Sequence, residues 1–343
     1  MAPSFLSMNG NKRSITLDLR RPEAIEIVKR LVVGADVVWE NFRGGVMDRL
    51  GLGYEALSAI NPRAHLLRRL RASAAPGPSE TTAAFDGKLQ AMSGIMSITG
   101  EPRTVARRAR GSPSATPSAA SPRPLAVASA LYQRTHTGRG QLVDVAMLDA
   151  ALAFIAGPVS EYTVAGIEAA PDRQRVGEPE AHGEPLPGGR RLHRAVPSSP
   201  RSSSSSLMQA LGRPDALADP RFKDWPARTE NEPALREIIE AAMATDDPRT
   251  WETRLTAADV PCGSIWKVHE IVRHPQLEHR DVLQTIDTRY GPMELVGAGF
   301  RLEHGSPSLD REPPTLGEHT DEILKEAGYS AEEIERLHRE AIV

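Results

Sequence analysis

An α/β fold built on parallel strands is predicted by three observations along this 343-residue chain. Apolar residues alternate at Ser14–Leu19, recur at helical spacing from Ile25 to Val33, and run together again at Ala35–Trp39. The joints between these runs are short, and strand, helix, strand with short joints is a βαβ unit with a right-handed crossover. A third observation lies far downstream. A helical run, Leu125–Gln133, passes through Thr137-Gly138-Arg139-Gly140-Gln141 into an extended run from Gln141 to Met147.

Each element has a local reason. Ser14-Ile15-Thr16-Leu17-Asp18-Leu19 alternates apolar and polar as a strand with one polar face does. Pro22 suits the first turn of the helix that follows, and Gly34 stops it. Glu40-Asn41-Phe42-Arg43-Gly44-Gly45 lies just past the second strand and opens the helix Val46–Leu50. In open α/β sheets ligands sit at such carboxyl ends, where backbone N–H groups and the helix dipole point outward. Arg43 and Arg49 add positive charge suited to a phosphate, or they merely solvate a loop. Tyr54–Ile60 is a short helix closed by Asn61-Pro62. The two glycines at 138 and 140 permit a tight reversal, and Asp149 is placed to cap the apolar helix Ala150–Ala156.

Three stretches break this regularity. Residues 64–80, 104–125 and 177–206 are basic or rich in Ala, Pro and Ser, and no apolar period survives in them. Beyond Leu207 order returns, with amphipathic helices at Leu235–Ala244 and Trp251–Ala258, an extended run at Leu295–Leu302, and helices at Asp321–Ala327 and Ala331–Ala341. The last two start acidic and end basic, as the helix dipole prefers.

The bulk numbers exclude several classes. A net charge of -3 is not tuned for nucleic acid or an anionic membrane. The arginines at 107, 108 and 110 lack the interleaved aromatics of a nucleic-acid surface. A single cysteine, Cys262, forms no internal disulfide and fits a reducing cytoplasm. No window is apolar enough for a bilayer, no zinc spacing or Walker-type loop is present, and no Ser–His–Asp motif stands out. The expectation is a soluble cytoplasmic protein that needs no metal.

The ordered segments together resemble one enzyme group. Asn11-Lys12-Arg13-Ser14-Ile15-Thr16-Leu17-Asp18-Leu19 is followed by Ala35-Asp36-Val37-Val38-Trp39-Glu40-Asn41-Phe42 and Asp48-Arg49-Leu50-Gly51. Then come Gln90-Ala91-Met92-Ser93-Gly94, Thr99-Gly100, Thr137–Gln141, Val260-Pro261-Cys262-Gly263 and Leu316-Gly317-Glu318-His319-Thr320-Asp321-Glu322. Taken in order, these motifs resemble the family III CoA-transferases, a group with formyl-CoA transferase, carnitine CoA-transferase and, as a relative, α-methylacyl-CoA racemase.

The resemblance implies a Rossmann-like large domain carrying coenzyme A, a smaller α+β domain, and two chains interlinked as a homodimer. It divides the chain into a large domain over 1–185, a small domain and linker over 186–290, and a segment over 291–343 that returns to the large domain. The family's first strand and loop have no counterpart before Met1. CoA contacts carry over to Leu17, Asp18, Leu19 and Arg20, to Asn41, Phe42 and Arg43, to Arg49, and to Phe85 and Asp86. The arginines among them suit CoA's phosphates, which guanidinium groups grip bidentately. Acyl-CoA and a carboxylic acid are the implied substrates, exchanged through an aspartyl anhydride.

That aspartate is missing. In the family it stands 21 residues before the first residue of the Thr-Gly-Arg-Gly-Gln motif, a spacing that lands here on Thr116. No aspartate occurs between Asp86 and Asp144, and a lone hydroxyl does not replace a carboxylate. Racemase chemistry would need the same missing group. One explanation is a displacement of the coding frame by one or two bases, with degenerate codons leaving the first re-read position open to Asp, Tyr, His or Asn. Thr116–Pro124 then re-reads as D-T-I-G-G-I-T-A-A, with Arg190–Arg194 as D-G-Y-I-V and His65–Leu67 as I-Y-C, each restoring an element the family has there. The rival explanation is a genuine basic, Pro/Ser-rich insertion. A catalytically dead CoA-binding remnant is the corresponding alternative function.

Overall fold

The computed structural model describes residues 2–42, 44–69, 86–98, 122–169, 193–195, 202–260, 262–264 and 266–343. The chain divides into two compact units, one of residues 1–99, 106–160 and 275–343, the other of residues 100–105 and 161–274.

The first unit is organised by three parallel strands, β1 (Val37–Glu40), β2 (His65–Arg69) and β3 (Leu142–Val145), in that order across the sheet. The α/β class and the parallel pairing agree with the sequence, but the partners differ. Residues 14–18 join no ladder, and Leu19 lies in the turn that precedes the helix. Their alternation has another origin: Ile15 and Leu17 pack against a core cluster, while Ser14 and Thr16 hydrogen-bond to the C-terminal segment. The strand beside β1 is instead β2, whose basic sequence reads as irregular. β2 is the central strand, so hydrogen bonds from both neighbours fix its backbone whatever its side-chain pattern.

Helix Pro22–Val32 has its proline in the first turn and buries Ala24, Ile27 and Val32. Its two buried faces enter different clusters. Ala24 and Ile27 meet Leu324, Ile334, Leu337 and Ile342 from the C-terminal helices Thr320–Glu326 and Ala331–Arg339. Val32 meets Met47, Leu52 and Leu57. Helix Pro122–Thr137 begins within the second irregular stretch and delivers the chain to β3. The helix after β3 is Met147–Phe154, capped by Ala146, so Asp149 lies inside its first turn and is not the cap. Asp149 there still favours the helix dipole. A hairpin of β6 (Leu283–Thr288) and β7 (Gly291–Val296) completes the described strands of this unit.

The second unit packs Leu207, Met208, Leu235, Ile239, Met243, Trp251 and Leu255 into one cluster. These come from helices Ser202–Ala210, Glu232–Met243 and Pro248–Ala257. The serine run 202–206, read as irregular, is the first part of a helix. Asp247 caps Pro248–Ala257, and the buried Trp251 donates its Nε1–H to the carbonyl of Met243 at 2.9 Å. Strands β4 (His193–Ala195) and β5 (Cys262–Ser264) pair antiparallel.

Candidate functional site

Because β1, β2 and β3 run parallel, their carboxyl ends share one edge of the sheet. The chain leaves β1 through Glu40, which is buried and whose Oε2 accepts a hydrogen bond from the backbone N–H of Phe42 at 2.6 Å. That bond turns Asn41 and Phe42 outward, and both are exposed. Gly45 then adopts φ 74, a left-handed conformation that opens helix Val46–Arg49. A Cβ on Gly45 would meet Nη1 of Arg49 at 3.2 Å, so the guanidinium lies over this turn. Asn41 and Phe42 in the loop after β1, and Arg49 at the end of the short helix that follows, are all exposed near the carboxyl end of the sheet. Arg43 falls outside the described residues.

The second group, Leu17–Arg20, lies just before helix Pro22–Val32. Leu17 packs into the cluster of C-terminal helices, so its side chain is part of the core. The backbone N–H of Asp18 donates to the carbonyl of Ile342 at 2.9 Å. Arg20 grips Asp18 with both prongs, Nε to Oδ1 at 2.8 Å and Nη2 to Oδ2 at 2.9 Å. This bidentate pair holds the Asp18 carboxyl below its usual range. The Arg20 side chain is 89% exposed, so water screens the pair and the guanidinium still faces solvent. Among the described residues no hydrogen bond or ion pair joins Leu17–Arg20 to Asn41–Arg49 directly.

Asp86 opens helix Asp86–Met92, and its carboxylate accepts from Nε2 of the buried Gln90. Phe85 and Thr116 fall outside the described residues, as do most of the three irregular stretches. The frame-displacement reading therefore rests on sequence.

The Thr137–Gln141 motif sits at the other end of the sheet. Gly138 has φ 69 and ends helix Pro122–Thr137. Gly140 fills a different need: a Cβ there would lie 2.0 Å from the carbonyl oxygen of Ala64 and 2.9 Å from the carbonyl carbon of Arg63. Its N–H donates to the carbonyl of Pro62 at 2.8 Å. Arg134, 15% exposed, bridges the same place, with Nη1 on the carbonyl of Arg63 and Nη2 2.7 Å from Asp36. Asn61 closes the set, its Nδ2 within 3.2 Å of the carbonyls of Val32, Val33 and Ala35. The approaches to all three strands are pinned together here. Its role at this edge is architectural.

The sequence reading missed the residues that hold Leu17–Arg20 in place. Ser14 N–H donates to Nδ1 of His319 at 3.2 Å, and its carbonyl accepts from the N–H of His319. Thr16 N–H donates to Oγ1 of the buried Thr320 at 3.2 Å. The Leu316–Glu322 motif contains these partners, and spacing alone did not say what they touch.

Comparison with known proteins agrees with this architecture. Residues 1–320 match the family described as CoA-transferase family III. A succinyl-CoA–D-citramalate CoA-transferase of Chloroflexus aurantiacus is 30% identical over 338 residues, 97% of this chain and 83% of that protein. A formyl-CoA:oxalate CoA-transferase of Bradyrhizobium sp. (strain ORS 278) is 32% identical over 364 aligned positions, with coverage of 97% and 83%. The crystal structure of a CAIB/BAIF family protein from Brucella suis superposes with a TM-score of 0.82 at 31% identity, over 95% of this chain and 84% of that one. With the motifs in order, the parallel sheet in place and the match spanning nearly all of the sequence, the chain belongs to CoA-transferase family III.

Proposed function

We propose that this chain binds coenzyme A at the carboxyl edge of its parallel sheet, and that as encoded it is impaired in moving CoA between an acyl-CoA and a carboxylic acid. Membership of the family supports acyl-CoA:carboxylate CoA-transferase chemistry, and the relatives named above are called transferases of that kind. Asn41 and Phe42 on the loop after β1 supply an exposed amide and an aromatic face, and Arg49 on the helix that follows supplies a cation. Arg20 supplies a second exposed cation, and we assign Leu17–Leu19, Arg43, Phe85 and Asp86 to the same CoA site.

In the reaction we assign to the fold, an aspartate carboxylate attacks the acyl-CoA carbonyl. The carbon–sulfur bond breaks, CoA leaves as thiolate, and an acyl-aspartyl anhydride remains. The thiolate then attacks the aspartyl carbonyl of that anhydride, which releases the donor carboxylate and leaves an aspartyl-CoA thioester. The acceptor carboxylate attacks this thioester, and the thiolate it expels takes the acceptor's acyl group from the new anhydride, regenerating the aspartate and giving the acceptor's CoA thioester. The observation that carries the reading of impairment is that no aspartate stands between Asp86 and Asp144, with Thr116 at the expected place. We further assign the protein to the cytoplasm as a homodimer; no helix among the described residues is long and apolar enough to cross a membrane.

Two measurements test this. Calorimetric titration with CoA is expected to show saturable binding that weakens on Arg49→Ala; absence of binding would remove the CoA reading. Incubation with an acyl-CoA followed by hydroxylamine is expected to yield no protein-derived acyl-hydroxamate, and a hydroxamate at stoichiometric yield would overturn the impairment. Resequencing the gene around codons 64, 104 and 178 separates a displaced frame from a true insertion.

A further inference from the structure

Residues 14–18 lie between the N-terminal helix Pro3–Met8 and helix Pro22–Val32, and they have no strand partner. Their hydrogen bonds come instead from residues about 300 positions away. Gly317 N–H donates to Oγ of Ser14 at 3.0 Å, His319 N–H to the carbonyl of Ser14 at 2.9 Å, and Asp18 N–H to the carbonyl of Ile342 at 2.9 Å. At the centre is Thr320, only 4% exposed. Its Oγ1 accepts from the N–H of Thr16 at 3.2 Å and donates to the carbonyl of Gly317 at 2.8 Å. One hydroxyl therefore joins the strip to the turn that holds it. Gly317 is forced by the same packing: its φ is 68, and a Cβ would lie 2.9 Å from Oγ1 of Thr16.

The fit is tight on both sides at Thr16, and beyond it Leu17 packs against the C-terminal cluster while the Asp18 N–H is held by Ile342. Leu17–Arg20 belong to no ladder, so the position of Arg20 follows from these contacts, from its own ion pair with Asp18 and from the start of helix Pro22–Val32. Two multi-branched ion pairs clamp the same segment. Arg13 reaches Glu322 and Glu326 at 2.7 Å each, and Arg289 pairs with Glu312 and Glu318.

We infer that Thr320 is a positioning residue for CoA: its hydroxyl fixes the backbone at Thr16 and thereby helps set the strip that carries Arg20 against the ligand. This rests on the CoA reading above. The discriminating pair is Thr320→Val, which keeps the volume and removes the hydroxyl, and Thr320→Ser, which keeps the hydroxyl and removes a methyl group. If the hydroxyl positions the strip, valine raises the CoA dissociation constant about tenfold while serine stays near wild type. Exchange of backbone hydrogen for deuterium in residues 11–20 speeds up for valine alone. If Thr320 only fills space, serine, which leaves a cavity, is the worse of the two.

The readout is CoA affinity by calorimetry at a temperature well below the unfolding transition of every variant. Equal affinity for wild type and Thr320→Val overturns the inference and leaves CoA binding intact. A wild-type chain that does not bind CoA defeats the functional reading, and the positioning of Arg20 for CoA falls with it. Unchanged exchange in residues 11–20 of Thr320→Val overturns the structural basis independently of either.

Discussion

The two ends of the parallel sheet use charged and polar side chains in opposite ways. At the amino end, Asn61, Arg134 and Gly140 turn inward, and every polar group named there meets a backbone carbonyl or a carboxylate. At the carboxyl end, Asn41, Phe42 and Arg49 face solvent. Satisfying backbone groups at the amino end closes the sheet. Leaving side chains uncommitted at the carboxyl end is what a ligand requires. The contrast separates specificity of sequence from chemical role: the most recognisable motif in the chain holds the scaffold together, and the candidate site is composed of residues unremarkable in themselves.

Substitutions at the two ends should therefore fail in different currencies. The largest effect is expected for Gly140→Ala, where the new Cβ would overlap the Ala64 carbonyl oxygen at 2.0 Å and neither backbone can yield. A loss of about 3 kcal/mol or more of unfolding free energy, with little soluble protein recovered, is the expected result. A variant with wild-type denaturation midpoint would refute the steric account. Asn61→Ala removes the donor shared by three carbonyls and should cost about 2 kcal/mol by chemical denaturation. At the other end, Asn41→Ala and Arg49→Ala should leave stability within about 0.5 kcal/mol while weakening CoA binding. A stability loss without an affinity change at those positions would erase the contrast.

The smallest effect is one of pH. Arg289 draws the Glu318 carboxyl down to about 2 through a direct hydrogen bond, helped by the N–H of Thr315, and lowers Glu312 as well. A carboxyl depressed in the folded state contributes stability above its unfolded value, near the ordinary 4.5, and that contribution fades as pH falls through the folded value. The stability difference between wild type and Arg289→Gln should thus be full at pH 6 and shrink from pH 4.5 toward 2. A difference that does not vary over this window would show that the clamp is screened to insignificance.

How much of this was legible in the sequence depended on where each element finds its partner. Helices Pro22–Val32, Glu232–Met243 and Ala331–Arg339 announce themselves because their apolar period and their starts are local, a first-turn proline in the first two and the Ser330–Glu333 capping box in the third. Ser14–Leu19 misled because alternation reports which side faces a core, and a strip buttressed by Ser14, Thr16 and Thr320 alternates as a strand does. β2 was invisible to the apolar pattern for the converse reason, and only the family's expected strand at 65–67 pointed to it: in His65-Leu66-Leu67-Arg68-Arg69 the neighbours supply the order. The candidate site was legible only through resemblance. Nothing in the spacing of Asn41 and Arg49 distinguishes a phosphate clamp from a solvated loop. The motif at 137–141 located the absent aspartate by counting, while its structural task became apparent only once Gly140 was seen against Ala64.

The bond from Asp18 to Ile342 has a consequence in time. The first unit opens near the start of the chain and is closed by its penultimate residue, with the whole of residues 161–274 folded as a separate unit in between. During synthesis the second unit has all its contacts available as soon as it emerges, whereas residues 14–18 must wait for residues 317–342. Contacts this distant in sequence close slowly. Until they do, Ile15, Leu17, Ala24 and Ile27 have no cover from the C-terminal helices. The nascent first unit is therefore the half most exposed to aggregation or to a chaperone.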